Sequence, residues 1–226
     1  MNHVAIAAVQ AALGATFAWI LLAVLRGRTD ARGLARGFLL ACVLLALGNL
    51  LGVAAVSLGG DATASAVRPA LRLLRLADWP LTGIAIVLAG IAAVGRHGTD
   101  APSPASAFAF RPETVAGLSV YVALGFFAFE IGKAAHDAEM RQFFLSSGLP
   151  VWFMYAVMAA EIAGAVGLMF ERSRPYAALW LAAIMVGAIG THVRNGDPFS
   201  DSLDALRMLL VTLSIFALYR RNRSPG

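Results

Sequence analysis

The chain has 226 residues, of which 59% are hydrophobic and only 14% charged. Soluble domains carry about 45–50% apolar and about 25% charged residues, so this composition excludes a water-soluble fold, a disordered chain and a disulfide-stapled module. The formal net charge is +5, but the arginines sit in short loops between apolar runs. That pattern reports membrane orientation and excludes a nucleic-acid partner.

A spanning helix needs about 20 mostly apolar residues. Seven windows reach or approach that length, roughly 4–25, 37–58, 71–94, 115–135, 150–170, 175–193 and 203–219. The first is expected to be a retained helix, because Met1-Asn2-His3 offers no positive leader and Arg26 follows the apolar run. With seven spans and the N-terminus outside, the cytoplasmic loops hold Arg26, Arg28, Arg32, Arg36, Arg96, Arg111, Arg172, Arg174, Arg220, Arg221 and Arg223. The outer loops hold only Arg68, Arg141 and Arg194, beside Asp61, Asp137, Glu139, Asp197 and Asp201. The expectation is an all-α integral protein of a bacterial inner (plasma) membrane, with its C-terminus in the cytoplasm.

The third window is the weakest, because Arg68, Arg72, Arg75 and Asp78 crowd its outer half. It reads as a full crossing on orientation grounds, with an interfacial helix turning in at Pro80 as the alternative. Pro102 and Pro104 fall in a polar stretch. The expected organisation is a three-helix front (1–97), a cytoplasmic Pro/Ser linker (98–112), a four-helix bundle (113–220) and a short tail (221–226). The pairs Gly48/Gly52, Gly164/Gly167 and Gly187/Gly190 read as close helix packing.

Charges inside these windows need a reason, since each costs roughly 2.5–3.5 kcal/mol at mid-bilayer on insertion scales. Of 18 basic residues only Lys133 is a lysine, and it ends the fourth window three residues after Glu130. At 100° per residue Glu130, Lys133 and Asp137 fall within about 60° of one another, with His136 at the flank. Either the pair neutralises itself near the interface, or Lys133 is poised for proton transfer or an anionic substrate. Glu161 lies eleven residues past Pro150, about 16 Å along its helix. No cation stands near it in sequence, so its partner comes from another helix or it is protonated.

His192 closes the sixth window, and Asp204–Arg207 forms an i, i+3 pair opening the seventh. Arg68, Arg72, Arg75 and Asp78 or Trp79 share one stripe. All these groups fall at outer helix ends, so the expectation is one sign-mixed cluster open to the outer leaflet. Its acid–base members would be Glu130, Lys133, Glu161 and His192, with Arg75, Asp78, His136, Asp204 and Arg207 binding substrate. The single cysteine, Cys42, gives no disulfide or C-x-x-C pair. No H-x-x-x-H or E-x-x-H spacing supports a metal, and neither a metal nor a haem between His136 and His192 is expected.

The back half carries a recognisable order of elements. Gly132-Lys133 is followed by Gly148-Leu149-Pro150, then Glu161-Ile-Ala-Gly164, then Gly187-Ala-Ile-Gly-Thr191-His192. This order, over about 113–220, resembles the DoxX-like family of small four-helix membrane proteins. There a G-x-x-K element, a G-L-P turn, a membrane glutamate and a late histidine recur. Here glycine directly precedes the lysine. The resemblance implies a four-helix bundle working around membrane redox chemistry, as in thiosulfate:quinone oxidoreductase subunits or helpers of disulfide supply and membrane-protein maturation. With one cysteine, this chain does no thiol–disulfide exchange by itself.

The first expectation is therefore a membrane oxidoreductase or its subunit, with a quinone or another lipid-soluble molecule as ligand. The second is a non-enzymatic accessory or assembly protein bound to other membrane subunits or to a second copy. The third is an isomerase or cyclase using Glu161 as acid on an isoprenoid-like substrate. The cofactor stays open.

Overall fold

A computed structural model describes residues 31–94, 108–109 and 111–222. The expected first window, His3, Arg26, Arg28, most of the linker with Arg96, and Arg223 lie outside the described residues. The described residues form helices joined by short turns, with no strand among them. In chain order these are α1 (Ala31–Leu58), α2 (Asp61–Arg75), α3 (Asp78–Val94), α4 (Pro112–Ala135), α5 (Asp137–Ser146), α6 (Val151–Met169) and α7 (Arg174–Asn195). A 3-10 turn at Phe199–Ser202 leads into α8 (Leu203–Asn222). Six stretches of the described residues are long and apolar enough to cross a membrane, α2 and α3 counting together as Asp61–Ile91. The chain is a multi-pass membrane protein.

Local sequence explains the helix ends. Pro112 and Pro175 stand in the first turns of α4 and α7, where a missing N–H costs nothing. Gly196, at φ +73°, closes α7 in the left-handed conformation, the usual glycine cap. Gly148, at φ +70°, makes the turn before Leu149-Pro150 and α6.

Four helices close a ring, with α4 on α6, α6 on α7, α7 on α8 and α8 back on α4. The front helices pack directly on it: α1 lies along α4, α3 along α8, and α2 folds back on α1. Lipid supplies no hydrophobic drive between helices, so small residues and close contacts hold such rings together. A Cβ on Gly164 would stand 2.6 Å from the Leu181 side chain, one on Gly167 2.9 Å from Ala177, and one on Gly117 3.1 Å from the Leu39 backbone. Gly187 and Gly190 differ from this expectation, because a Cβ on either meets nothing within 4 Å. Spacing alone does not say which face of a helix meets a neighbour. Large apolar side chains such as Leu40, Leu51, Val87 and Val186 face outward, with Trp152 and Tyr176 exposed in the first turns of α6 and α7. That is the aromatic placement of a membrane interface.

The third expected window is two helices. The chain turns at Leu76-Ala77, and α2 begins ten residues earlier than the apolar run suggests. Ala64, Val67, Leu71 and Leu74 form its buried stripe while Arg68, Arg72 and Arg75 stay exposed. At 100° per residue Asp78 falls in line with Leu71 and Leu74 and not with Arg68 and Arg72, and it is buried with them. Trp79 remains outside.

Candidate functional site

The expected single cluster is two separate networks. At 100° per residue Glu130 lies opposite Tyr121 on α4, and each side of that helix carries its own polar group of residues. Position along each helix was readable from sequence; the angular position of each helix in the ring was not.

The first network is a triad across α4 and α6. The Lys133 ammonium donates to Glu130 Oε1 at 2.8 Å and to Glu161 Oε2. Both carboxyls are buried, Glu161 to 3% exposure. The i, i+3 pair forms as expected, and the partner that Glu161 required comes from another helix. Glu130 Oε2 is buried without a hydrogen-bond partner. Two carboxyls face one ammonium, so the triad is electrically balanced only when it also holds a proton. An ammonium has three donors; two are used in the triad, and Lys133 also lines a cavity.

That cavity has a volume of about 700 Å³ and lies between α5, α6 and α7. Lys133 and Glu161 stand at one end, and Met154, Val157, Met158 and Ile184 form part of its apolar wall. At the other end are His192 and Arg194. His192 Nδ1 pairs with Asp197 Oδ2 at 2.8 Å, a contact made by the Gly196 turn, which brings the Asp197 N–H back to the His192 carbonyl at 3.0 Å. The His192 ring also packs on Phe143 of α5, with centroids 5.4 Å apart. Arg194 donates to the Ser147 carbonyl, and Asn195 Nδ2 to Ser147 Oγ at 2.7 Å, fastening the end of α5 to the end of α7.

The second network joins α1, α3, α4 and α8. Tyr121 donates its hydroxyl hydrogen to Asp78 Oδ1 at 2.7 Å, and Asn49 Nδ2 donates to the same oxygen at 3.3 Å. Arg207 donates to the Tyr121 hydroxyl, stands 3.8 Å from Asp78 Oδ2 and reaches Asp204 Oδ1 at 3.4 Å. Asp78, Tyr121 and Arg207 are all buried. Beside them is a void of about 30 Å³, which Arg75 helps to line. That is room for water and little else.

His136 belongs to neither network. It sits exposed at the α4–α5 junction with Nδ1 3.0 Å from the Gly132 carbonyl, and it lines neither cavity. Among the described residues no group of three or more His, Cys, Asp or Glu could hold a metal ion. Sequence reasoning missed Tyr121 and Asn49. Both are polar groups inside apolar runs, and that alone was a signal.

Comparison with known proteins places these networks. Residues 117–217 match the DoxX-like family, so the C-terminal region of this chain is DoxX-like. The match takes in the triad, His192 and Arg207 and leaves Asn49 and Asp78 outside it. No curated protein and no solved structure matches the chain.

Proposed function

We propose that this DoxX-like membrane protein is an oxidoreductase component that binds a quinone or another lipid-soluble molecule in the α5–α6–α7 cavity. The observation that carries the reading is Lys133, held between the buried Glu130 and Glu161 on the wall of a large apolar cavity. An apolar body suits the wall, and a carbonyl oxygen suits the remaining Lys133 N–H. Reducing a quinone to a quinol consumes two electrons and two protons. In this reading another subunit delivers the two electrons; the triad hands over the proton that balances its charge, takes another from water and hands that over as the second. Glu161 anchors the polar end, and Lys133 and Glu130 exchange the proton. General acid–base help of this kind is worth typically 10²–10⁴-fold.

The orientation proposed with it puts the cavity's His192 end at the outer face and the C-terminus in the cytoplasm, following the arginine distribution. Reporter fusions after Arg28 and after Arg223 should both read cytoplasmic; a periplasmic signal at either point overturns the map.

The test of the function is extraction of the purified protein, followed by mass spectrometry and absorbance of what was bound. A quinone in near-stoichiometric amount, lost from a folded Glu161→Gln variant, supports the reading. A stoichiometric protein partner with no small molecule replaces it with an accessory role. An isoprenoid without redox chemistry replaces it with an isomerase or cyclase.

A further inference from the structure

The cavity has polar chemistry at both ends and an apolar wall between them. Two helical rulers give its length. Trp180 Nε1 donates to the Ala160 carbonyl at 3.1 Å, so Trp180 stands level with Glu161. His192 lies twelve residues farther along α7, about 18 Å away. On α6, Glu161 is eleven residues below Pro150, about 16 Å, and the Arg194 and Asn195 bonds to Ser147 hold the tops of the two helices level. The two measures agree.

The ends differ in charge. At the floor, Lys133 is already paired within a balanced triad, so a further anion finds no uncompensated cation and a neutral hydroxyl or carbonyl fits. At the mouth, Asp197 occupies His192 Nδ1 and leaves Nε2 as the other polar atom of the ring. The Arg194 guanidinium has five N–H donors in a planar fork, and the Ser147 carbonyl does not exhaust them. This end suits an acceptor, above all a carboxylate. Between the ends, Gly187 keeps the wall open, since a Cβ there meets nothing within 4 Å.

We propose that the cavity holds a two-ended lipid, an extended apolar chain with a carboxylate at Arg194 and a neutral polar group at Lys133 and Glu161. This rests on the preceding reading in one respect, that a polar group occupies the floor. A quinone with a plain apolar tail satisfies only that end.

The experiment is calorimetric binding of four probes to the full-length protein in detergent: ω-hydroxylauric acid, lauric acid, dodecanol and the longer ω-hydroxypalmitic acid. ω-Hydroxylauric acid, whose extended ends are about as far apart as the two polar stations, should bind at least about tenfold tighter than each of the others, or about 1.4 kcal/mol. Arg194→Gln should erase its advantage over dodecanol, Arg194→Lys should keep part of it, and Glu161→Gln should erase its advantage over lauric acid. Equal binding of ω-hydroxylauric and lauric acids, in a protein whose Arg194→Gln form is folded and unchanged, overturns the two-ended ligand. If decylubiquinone still binds and depends on Glu161, the oxidoreductase reading survives that result. If decylubiquinone fails as well, both fall.

Discussion

Two buried networks in this protein use nearly the same ingredients and stand in opposite situations. In one, Arg207 meets Asp78 and Tyr121, and the adjoining void holds little more than a water molecule. In the other, Lys133 meets Glu130 and Glu161, and the adjoining cavity is more than twenty times larger. The difference lies in the cations as well. A guanidinium is planar, permanently charged and rich in donors, which suits a permanent clamp; an ammonium is a compact point charge that exchanges its proton. A buried ion pair is therefore not a functional site by itself. What it faces decides.

The largest effect is expected at the clamp. Removing one partner of a buried pair leaves the other charge uncompensated, at about 3–5 kcal/mol. Arg207→Met should lower the thermal midpoint steeply, and Asp78→Asn with Arg207→Met should recover part of the loss. A double variant no better than the sum of the singles would mean that the two residues are not coupled. The cycle also asks what the front helices do, because Asp78 and Asn49 lie outside the matched residues 117–217 while Arg207 lies inside them. In this chain the front region adds a buried carboxylate to the exposed one that the bundle's own Asp204 gives Arg207.

A smaller effect on stability, and a larger one on ligand, is expected at the triad. Glu161→Gln keeps the shape and a hydrogen-bonding group near Lys133 but removes the carboxyl. The variant should remain folded and retain at least about tenfold less bound small molecule, about 1.4 kcal/mol in affinity. A folded variant that keeps its ligand would make the triad a second clamp and remove the contrast.

Much of this was visible in the sequence, for reasons that differ by residue. The described spans follow from apolar length, and the Glu130–Lys133 and Asp204–Arg207 pairs from helical spacing. That Glu161 needed a distant cation followed from its isolation. The split into two networks did not follow, because hydropathy gives depth and says nothing of how each helix is rotated in the ring. Asp78 was hidden differently. Three residues past Arg75 it read with the arginines, although at 100° per residue it lies between Leu71 and Leu74 on the buried face. Asn49 stood inside Gly48-Asn-Leu-Leu-Gly52, where the small residues drew the reading and the polar one passed unnoticed. Of that motif, Gly52 is packed on Leu71, where a Cβ would stand 2.9 Å away.

The smallest expected effect sharpens the contrast between closed and open regions using glycines alone. Gly164 and Gly187, on neighbouring helices, are the same residue type in opposite surroundings. A Cβ on Gly164 would stand 2.6 Å from Leu181, against a packed wall, whereas one on Gly187 enters the cavity and touches nothing within 4 Å. Gly164→Val should therefore lose about 1–3 kcal/mol of stability through overpacking. Gly187→Val removes a flexible residue from a helix interior, and glycine there costs roughly 0.5–1 kcal/mol relative to alanine. It should leave the thermal midpoint unchanged or slightly raised. Its cost should appear only in the ligand, because the added methyls occupy the middle of the apolar wall. The expected result is a stable protein that binds its lipid several-fold more weakly, with the probes that span both ends of the cavity affected most. Lost stability with unchanged binding in Gly187→Val would mean that the wall closes against that position and that the cavity is not a ligand site.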